Sequence, residues 1–332
     1  MNRSEENRIT IVMVAHGRSD VVRQTLTGLA QCDQPANYQQ LVLVENGPEC
    51  GMAAVVAEFR DRLLILHERI GSPRKCVALN HVLKIIERGW ALFIDDDVRV
   101  SPDWIQTYAE AFSQFPEGHY FGGPTDVDYE QRPPEWLIPF LPASARGLVF
   151  PEGTTEITYP TCFLGFNWAA RIESLIHAGG FPEQFGPGTS FGVGDETLMQ
   201  FLLKQAGQLG RVLPRAKVWH QVPKNRCAAE WALKRIHASG RVAGIEASWY
   251  ERKIPRWLGD LRCHIRHARN QLKRVRLSDL LRLNAVGRFS FRCYWAWIVG
   301  FHTGYRESAS AEFPSLLTDN RRAANDKAVP LE

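Results

Sequence analysis

The sequence predicts an α/β protein with an open, mostly parallel sheet flanked by helices, and a helical, basic C-terminal extension. Four short apolar runs lack polar alternation, which is typical of strands covered on both faces: residues 9–15, 41–44, 63–66 and 90–94. Stretches with helical spacing separate these runs. Strands that alternate with helices in this way indicate βαβ units and a parallel sheet.

The first half of the chain shows a regular alternation of elements. The predicted elements are a strand at 9–15, a helix at 20–30, a strand at 41–44, a helix at 52–60, a strand at 63–66, a helix at 75–88, a strand at 90–94 and a helix at 101–114. We expect Asp20 to cap the first of these helices, and Ser101 and Pro102 to be the N-cap and first residue of the last.

The second half has weaker patterns. Residues 121–165 are rich in Pro, Gly and aromatic residues and are interpreted as ordered loops around a site. The predicted elements that follow are a strand at 163–169, a helix at 172–178, a helix at 195–206 and a strand at 216–219 that ends at His220. The glycine-rich stretch 186–194 is either a lid over a ligand or a plain surface loop.

Composition excludes several classes of protein. The chain has 332 residues, 45% of them hydrophobic and 23% charged, so a disordered or coiled-coil chain is excluded. No apolar run reaches about 18 residues, and the first residues lack an apolar signal core. The seven cysteines include no CxxC pair, which suggests a reducing compartment. We therefore expect a cytoplasmic protein, with peripheral attachment to the cytoplasmic face of a membrane as the alternative.

Polar residues follow the predicted strands. The turn after the first strand has no GxGxxG and the chain has no GxxxxGK[ST], so a Rossmann dehydrogenase and a P-loop nucleotidase fit poorly. Open α/β sheets nevertheless bind ligands beyond the carboxyl ends of their strands. Here those ends carry residues 16–18, 45–46 and 95–97, which are the first candidate ligand contacts.

The acidic run Asp95, Asp96 and Asp97 is the sharpest feature of the sequence. On an extended chain, Asp95 and Asp97 point to the same side. Two converging carboxylates repel each other unless a cation lies between them, and Mg²⁺ or Mn²⁺ favours such oxygen sites, often shared with substrate phosphates. A solvated loop is the alternative interpretation of an isolated DxD.

Seven motifs in the same order resemble the family 2 glycosyltransferases of GT-A fold, over about residues 9–222. The motifs are IVMVAHGRSDVVRQTLTGL, VLVENG, RKCVALNHVL, LFIDDDVRVSPDWI, FLGFNWAARIESLIHAGGFPEQFGPG, GDETLMQFLLKQAG and VWHQVP. The resemblance implies an inverting transfer from a nucleotide-diphosphate sugar, with Mn²⁺ or Mg²⁺ as cofactor.

The resemblance also implies roles for individual residues. Glu45 and Asn46 would hold the nucleotide base and ribose, and Arg74 and Lys75 the nucleotide or its diphosphate. Asp97 would bind the metal directly. Including the strand ends, the expected nucleotide-sugar contacts are Ala15, His16, Arg18, Glu45, Asn46, Arg74, Lys75, Asn80, Asp95, Asp96, Gly165 and Asn167, and the expected metal ligands are Asp97, Asp95 and His220.

Two acids, Asp195 and Glu196, are candidates for the general base. The family order is GED followed by Thr, with Asp as the base, whereas this chain has GDE before Thr197. Register from Thr197 selects Glu196, and chemical type selects Asp195, so both remain candidates. At a helix N-terminus the dipole stabilises the charged form of either acid.

The C-terminal region differs in charge from the rest of the chain. Residues 252–306 hold 13 Lys and Arg against two acidic residues, a net +11 that leaves −7 for the rest of a chain of net charge +4. Together with its aromatic residues, this composition fits helices packed on the catalytic domain, an anionic membrane surface or, least well, nucleic acid.

We divide the chain into a nucleotide-sugar-binding and catalytic domain at 1–226, a helical basic region at 227–313 and a disordered tail at 314–332. The predicted function is transfer of a sugar, from a UDP-linked donor by the resemblance, to a hydroxyl of a carbohydrate or lipid-linked acceptor in polysaccharide or glycolipid synthesis. The alternatives are a catalytically inactive carbohydrate- or membrane-binding module and a sugar nucleotidyltransferase.

Overall fold

The computed structural model describes residues 7–157, 161–251 and 285–307. Its centre is an eight-stranded sheet in the order β3-β2-β1-β4-β9-β6-β10-β8. The strands are β1 (Ile9–Ala15), β2 (Tyr38–Asn46), β3 (Ile65–Ile70), β4 (Trp90–Asp95), β6 (His119–Gly122), β8 (Glu156–Ile157), β9 (Trp168–Arg171) and β10 (Leu209–Val212). Strands β9 and β8 run antiparallel to their neighbours and the other pairs are parallel, which confirms the predicted sheet.

A second, three-stranded sheet lies beside the first, in the order β5-β11-β7. Its strands are β5 (Val98–Val100), β7 (Thr125–Tyr129) and β11 (Val218–Val222). Because β5 begins directly after Asp97 and pairs His220 with Val98, this small sheet brings the late histidine to the acidic run.

Helices cover both faces of the main sheet. They are α1 (Ser19–Leu29), α2 (Met52–Ala57), α3 (Lys75–Ile85), α4 (Trp104–Gln114), α5 (Ala143–Arg146), α6 (Ile172–His177), α7 (Asp195–Gln205), α8 (Ala229–Glu251) and α9 (Ala285–Glu307). Short 3₁₀ turns form at Ile138–Phe140 and Lys224–Arg226.

Alternate residues of the central strands face opposite layers of core. Val12 and Val14 pack with α3, α6 and α7, whereas Ile11 and Met13 pack with α1, α2 and α4. Trp90 stacks on Phe112 of α4 at 4.0 Å between ring centroids. The apolar runs at 9–15, 41–44 and 90–94 are therefore buried on both faces, as their lack of alternation predicts, whereas Leu64 and Leu66 of the run at 63–66 are exposed.

Several predicted boundaries shift. Asp20 lies in the first turn of α1 rather than capping it, and α4 begins at Trp104 because residues 102–103 form a turn. The third strand lies at Ile65–Ile70 instead of 63–66. It is an edge strand with charged residues on its outer side. The apolar run therefore identifies only part of the strand.

The second half shows larger differences. Helix α3 ends at Ile85 rather than 88, and the strand expected at 163–169 forms at Trp168–Arg171. His220 lies in the middle of β11 rather than after its end. Residues 121–165, interpreted as loops, contain β7, α5 and β8. The predicted tail at 314–332 and most of the basic segment, 252–284, lie outside the described residues.

Candidate functional site

The carboxyl ends of β1, β2 and β4 meet at one edge of the main sheet. Strand register pairs Ala15 with Glu45, and Val14 with Asp95. The segments 16–18, 45–46 and 95–97 therefore lie together, at the edge where open α/β sheets bind ligands. The structure arranges their side chains in three adjoining groups.

The first group surrounds the ammonium of Lys75, the first residue of α3. Its Nζ lies 2.6 Å from Asp95 Oδ1 and 3.6 Å from Asp195 Oδ2. Only 14% of the Lys75 side chain is exposed. Burial disfavours the charged ammonium, but the two carboxylates outweigh it and raise the pKa of Lys75. Lys75 therefore stays charged and links the end of β4 to the start of α7.

A small cavity of about 10 Å³, enough for one water molecule, lies at this ammonium. Its polar walls are Lys75, Asp95, Asp195 and Glu196, and its floor is apolar. Gly165 also lines it, since a Cβ on this residue would lie 3.4 Å from the Glu196 carboxyl carbon. The two candidate bases and the first aspartate of the acidic run thus share one cavity.

The pKa values of Asp195 and Glu196 shift in opposite directions. Burial opposes ionisation of Asp195, but the charge of Lys75 and a hydrogen bond with Glu196 outweigh it and lower the pKa of Asp195. Burial and the neighbouring Asp195 charge raise the pKa of Glu196 well above its ordinary value. The charge therefore favours Asp195 and the proton favours Glu196, which can then donate a hydrogen bond to Asp195.

The second group forms where the chain turns at Asp96 and Asp97. Arg18 Nη2 lies 2.5 Å from Asp96 Oδ1 and 3.0 Å from Asp97 Oδ2. The turn ends the strand alternation, so Asp97 joins Asp96 at Arg18 while Asp95 pairs with Lys75. This partnering differs from the extended-chain expectation that Asp95 and Asp97 share a side.

Asp97 is held ionised although it is buried. Burial opposes its charge, but a hydrogen bond and the charge of His220, together with Arg18 and Arg226, lower its pKa. The pKa of Asp96 shifts in the opposite direction, because burial and the Asp97 charge raise it to about 7. Asp96 Oδ2 is buried without a hydrogen-bond partner in the described part of the chain.

His220 faces Asp97 in a fixed orientation. Its Nδ1 lies 2.6 Å from the Ser144 carbonyl oxygen, and its Nε2 lies 3.3 Å from Asp97 Oδ1. A carbonyl oxygen only accepts, so Nδ1 carries a hydrogen and Nε2 is directed at the carboxylate. The Phe166 ring stacks on the imidazole at 4.7 Å. A backbone carbonyl on one nitrogen is the usual support for a histidine that binds metal through the other.

Asp97 and His220 are the side chains of this group whose types suit a divalent cation. Carboxylate and imidazole are both ligands that Mn²⁺ accepts. Across residues 7–157, 161–251 and 285–307, no three His, Cys, Asp or Glu side chains converge on one metal position. A cation held by Asp97 and His220 would fill its other positions with water and phosphate oxygens, as Mg²⁺ usually does. Asp95 pairs with Lys75 instead of joining this pair.

The third group lies at the end of β2. Glu45 Oε1 accepts hydrogen bonds from the Cys50 backbone N–H at 2.8 Å and its thiol at 3.2 Å. Burial opposes ionisation of Glu45, but these bonds outweigh it and lower its pKa. Asn46 Nδ2 donates to the Pro73 carbonyl at 3.0 Å, and Asn46 Oδ1 is buried without a hydrogen-bond partner among the described residues. His16 Nδ1 also lies 2.6 Å from the Asn46 carbonyl oxygen, so both the backbone and the side chain of Asn46 are held in place.

Three expected contacts have other roles in the structure. The Asn80 amide brackets the backbone of Phe181, accepting its N–H at 2.7 Å and donating to its carbonyl at 2.9 Å. Asn167 is fully buried, and its Oδ1 accepts from Trp104 and Tyr108. The side chain of Ala15 is also fully buried. These side chains support the walls of the site rather than line it. Arg74, by contrast, is exposed at the start of α3.

Two arginines that the sequence reasoning missed also reach the site. Arg226 Nη1 lies 3.8 Å from Asp97 Oδ2. Arg235 of α8 is mostly buried and interacts electrostatically with Glu196 and Asp195, while burial lowers its pKa. The only sequence signal was the position of Arg226 shortly after His220, and no local pattern marks Arg235.

Several solved glycosyltransferase structures share the fold at low sequence identity. The mannosyltransferase PcManGT from Pyrobaculum calidifontis, solved with GDP-Man and Mn²⁺, superposes with a TM-score of 0.51 at 16% identity, covering 96% of this chain and 79% of its own. TarS residues 1–349 from S. aureus give 0.53 at 14% identity and 92% coverage of both chains. GalNAc-T7, solved with UDP, GalNAc and Mn²⁺, gives 0.51 at 13% identity over 77% of this chain and 54% of its own.

Sequence comparison agrees with the fold. Among curated proteins, none matches this chain significantly. The sequence profile of "Glycosyl transferase family 2" matches residues 10–172, a range that contains the strand ends, Lys75, the acidic run and Asn167. The predicted family and GT-A fold are thus confirmed, and through these residues the chain belongs to glycosyl transferase family 2.

Proposed function

We propose that this glycosyltransferase moves a sugar, with inversion, from a UDP-linked donor to a hydroxyl of a carbohydrate or lipid-linked acceptor, in polysaccharide or glycolipid synthesis. The observation that carries the proposal is the position of Asp195, whose Oδ2 lies 3.6 Å from the Lys75 ammonium at the ligand edge of the sheet. A buried carboxylate that keeps its charge, and opens into a cavity at the ligand edge of the sheet, is equipped to accept a proton.

Asp195 acts as the general base in this proposal. It takes the proton of the acceptor hydroxyl while the acceptor oxygen forms a bond to the anomeric carbon. The bond between that carbon and the diphosphate oxygen breaks at the same time, and its electron pair leaves with the nucleoside diphosphate. Burial and the neighbouring Asp195 charge raise the pKa of Glu196, which favours Asp195 over Glu196 as the base.

Asp97 and His220 would hold a Mn²⁺ or Mg²⁺ ion. When bound, such an ion neutralises charge that develops on the leaving diphosphate. Arg18 and Arg226 lie on the other oxygen of Asp97, at 3.0 Å and 3.8 Å, and supply positive charge to the same place. The mannosyltransferase and GalNAc-T7 were solved with Mn²⁺, which supports this cofactor.

The nucleotide end of the donor would lie at Glu45 and Asn46, where Asn46 Oδ1 is a buried acceptor without a hydrogen-bond partner among the described residues. The TarS complex with UDP-GlcNAc and the mannosyltransferase complex with GDP-Man support a nucleotide sugar as donor. The choice of UDP rests on the family resemblance.

We also propose that the C-terminal helices contact an anionic membrane surface from the cytoplasmic side. On α9, Phe291, Trp295 and Val299 are 46%, 50% and 50% exposed and follow one another at intervals of four residues, so they share a face. Arg288 and Arg292 alternate with them at the same spacing. In the described part of the chain, no helix has the length and apolar content needed to cross a bilayer.

A vesicle flotation assay tests the membrane proposal. The intact chain should float with vesicles that contain anionic lipid and not with neutral ones, and a Phe291→Ser/Trp295→Ser variant should stay at the bottom. Flotation of both chains to the same extent would show that this face does not bind lipid.

A thermal-shift screen of nucleotide sugars, with and without Mn²⁺, tests the transfer proposal. We expect one donor to raise the melting temperature only with metal, and to produce transfer with inverted configuration when an acceptor is added. Asp97→Ala should abolish the metal-dependent shift, and Glu117→Gln, on the exposed surface after α4, should not. Absence of any donor-induced shift in the wild type would contradict the proposal.

A further inference from the structure

The loop at 186–194 contacts the starts of both helices that carry Lys75 and Asp195. It leads directly into Gly194, the N-cap of α7, and so fixes the position of Asp195. On the donor side, the Lys75 backbone N–H donates to the Pro187 carbonyl at 3.0 Å. A Cβ on Gly188 would lie 2.2 Å from the Pro73 carbonyl oxygen, so the two backbones are in close contact. The loop therefore touches the start of α3 and the start of α7 at once.

Helix α8 holds the other side of this loop. Arg235 Nη1 donates to the Gly192 carbonyl at 3.1 Å, and Arg241 Nη1 donates to the Ser190 carbonyl at 3.0 Å. The Arg241 guanidinium also lies over the Phe191 ring, 4.0 Å from its centroid. Three successive residues of the loop, 190–192, are thus contacted by two arginines of one helix.

Arg241 is itself fixed by the last turn of α9. Its Nε and Nη2 donate to the two carboxylate oxygens of Glu307 at 2.7 Å and 2.8 Å. This fork geometry leaves Nη1 directed at the loop. The Arg241 side chain is 19% exposed and that of Glu307 is 39% exposed, so water screens the pair only in part.

Helices α8 and α9 pack too closely for the pair to move apart easily. Four glycines make this approach possible, since a Cβ on any of them would lie within 2.3 Å of a backbone oxygen of the opposite helix: Gly240, Gly244, Gly300 and Gly304. Val242 also packs against Gly194, since a Cβ on Gly194 would lie 3.0 Å from Val242 Cγ2. The helix pair is a rigid support that reaches the N-cap of α7.

We propose that α8 and α9 form a clasp in which Arg241, oriented by Glu307, and Arg235 hold the loop at 186–194 so that Asp195 stays beside Lys75. Arg241 is then a positioning residue for the general base, and the inference rests on the role of Asp195 in the proposed function. It assigns a part in the reaction to a region that the family profile, which ends at residue 172, does not include.

The composition of the loop explains why it needs a clasp. Gly186, Gly188, Gly192 and Gly194 all have positive φ, at 82°, 83°, 65° and 101°. Glycine in such conformations loses much backbone freedom on ordering, so a loop built from four of them needs external contacts to stay in one state. Without the arginine donors, the carbonyls of Ser190 and Gly192 would lose their partners in α8.

Hydrogen exchange and turnover of Arg241→Gln test the clasp. We expect amides of 186–194 to exchange at least tenfold faster than in the wild type, and turnover to fall at least fivefold. Lys234→Gln is the matched control, because it removes an exposed cation from the same helix, and it should leave both quantities within twofold of the wild type. Unchanged loop exchange in Arg241→Gln would overturn the proposal.

A charge-swapped double variant, Arg241→Glu/Glu307→Arg, separates the clasp from simple pairing of the helices. The swap restores the ion pair between α8 and α9 but cannot donate from position 241 to the Ser190 carbonyl. We expect it to recover the melting temperature lost in Arg241→Gln while loop exchange stays fast and turnover stays low. Recovery of turnover as well would show that Arg241 acts only by stabilising the helix pair. If the wild type transfers no sugar, the proposed function is refuted. Hydrogen exchange of the loop needs no substrate, so it still tests whether Arg241 holds the loop.

Discussion

Replacement of Lys75 by Met tests the electrostatic core of the site most directly. The two side chains have similar length, so the change removes the charge and keeps most of the volume. In the wild type the ammonium lies 2.6 Å from Asp95 Oδ1 and 3.6 Å from Asp195 Oδ2. Lys75→Met therefore leaves two carboxylates at the cavity without their shared counter-charge.

The size of the effect follows from these distances. At an effective dielectric constant of about 20, charges at these separations attract by roughly 6 and 5 kcal/mol before desolvation is counted. Loss of one partner of a buried pair costs about 3–5 kcal/mol. Asp195 is largely buried, whereas a quarter of the Asp95 side chain is exposed and water offsets part of its loss. We expect destabilisation near the lower figure and a raised pKa of Asp195.

Turnover should fall by about 10²-fold or more at pH 7, because a protonated Asp195 cannot accept the acceptor's proton. The assay is a pH–rate profile of transfer for the wild type, Lys75→Met and Lys75→Arg. The Met variant should regain activity as pH rises and Asp195 ionises again, and the Arg variant should follow the wild type more closely. A Met profile that stays parallel to the wild type at all pH values would refute the assigned role of Lys75.

The free energy of unfolding of the wild type and of the two Lys75 variants should depend on pH. The pKa of Asp195 is lower in the folded state, so its contribution is present above its unfolded pKa of about 4 and is lost as pH falls through the folded value. The pKa of Lys75 is raised, so its contribution is present below about pH 10 and is lost as pH rises through the folded value. Lys75→Met should therefore have a lower free energy of unfolding throughout the neutral range, as chemical denaturation would measure.

Five further substitutions, which make three predictions, have expected outcomes. Asp195→Asn should reduce turnover by about 10²–10⁴-fold, whereas Glu196→Gln, which still donates a hydrogen bond, should stay within about threefold; equal losses in the transfer assay would contradict the assignment of the base. Asp97→Ala and His220→Ala should each weaken Mn²⁺-dependent nucleotide binding by about 10–100-fold in calorimetric titrations and leave metal-free binding unchanged; a loss without metal would argue against a metal role. Gly304→Ala should lower the free energy of unfolding by about 1–3 kcal/mol, because its Cβ would lie 1.8 Å from a carbonyl oxygen of the opposite helix; a stability gain, as Ala usually gives in helices, would show that the helices can separate.

The sequence predicts the central strands well because burial on both faces leaves a continuous apolar run. Strand β1 matches its prediction at both ends, and β4 extends one residue further than predicted. Strand β3 does not match, because it is an edge strand whose outer side carries charge, and the apolar criterion stops at Leu66. Strand β7 has no apolar run at all, and its register comes from pairing with β11, far along the chain.

Prediction of the site was limited for a similar reason. The sequence places Asp95, Asp96 and Asp97 at the end of a strand, and the structure confirms that location. Their partners depend on the turn at residues 96–97 and on side chains such as Arg18 and His220, which only the fold brings close. Local pattern therefore indicates where a ligand edge lies, but not which carboxylate pairs with which cation.

The choice between Asp195 and Glu196 shows what kind of information was missing. Register along the motif favours Glu196 and chemical type favours Asp195, and neither argument contains the surroundings of the two acids. Both carboxyls are buried, so each alone would tend to stay neutral. The ammonium of Lys75 lies 3.6 Å from Asp195 Oδ2, and this asymmetry favours the charge on Asp195 and the proton on Glu196. Since Lys75 lies in a different motif, 120 residues earlier in the chain, the proposed choice of Asp195 as the base rests on the fold and not on the GDE sequence.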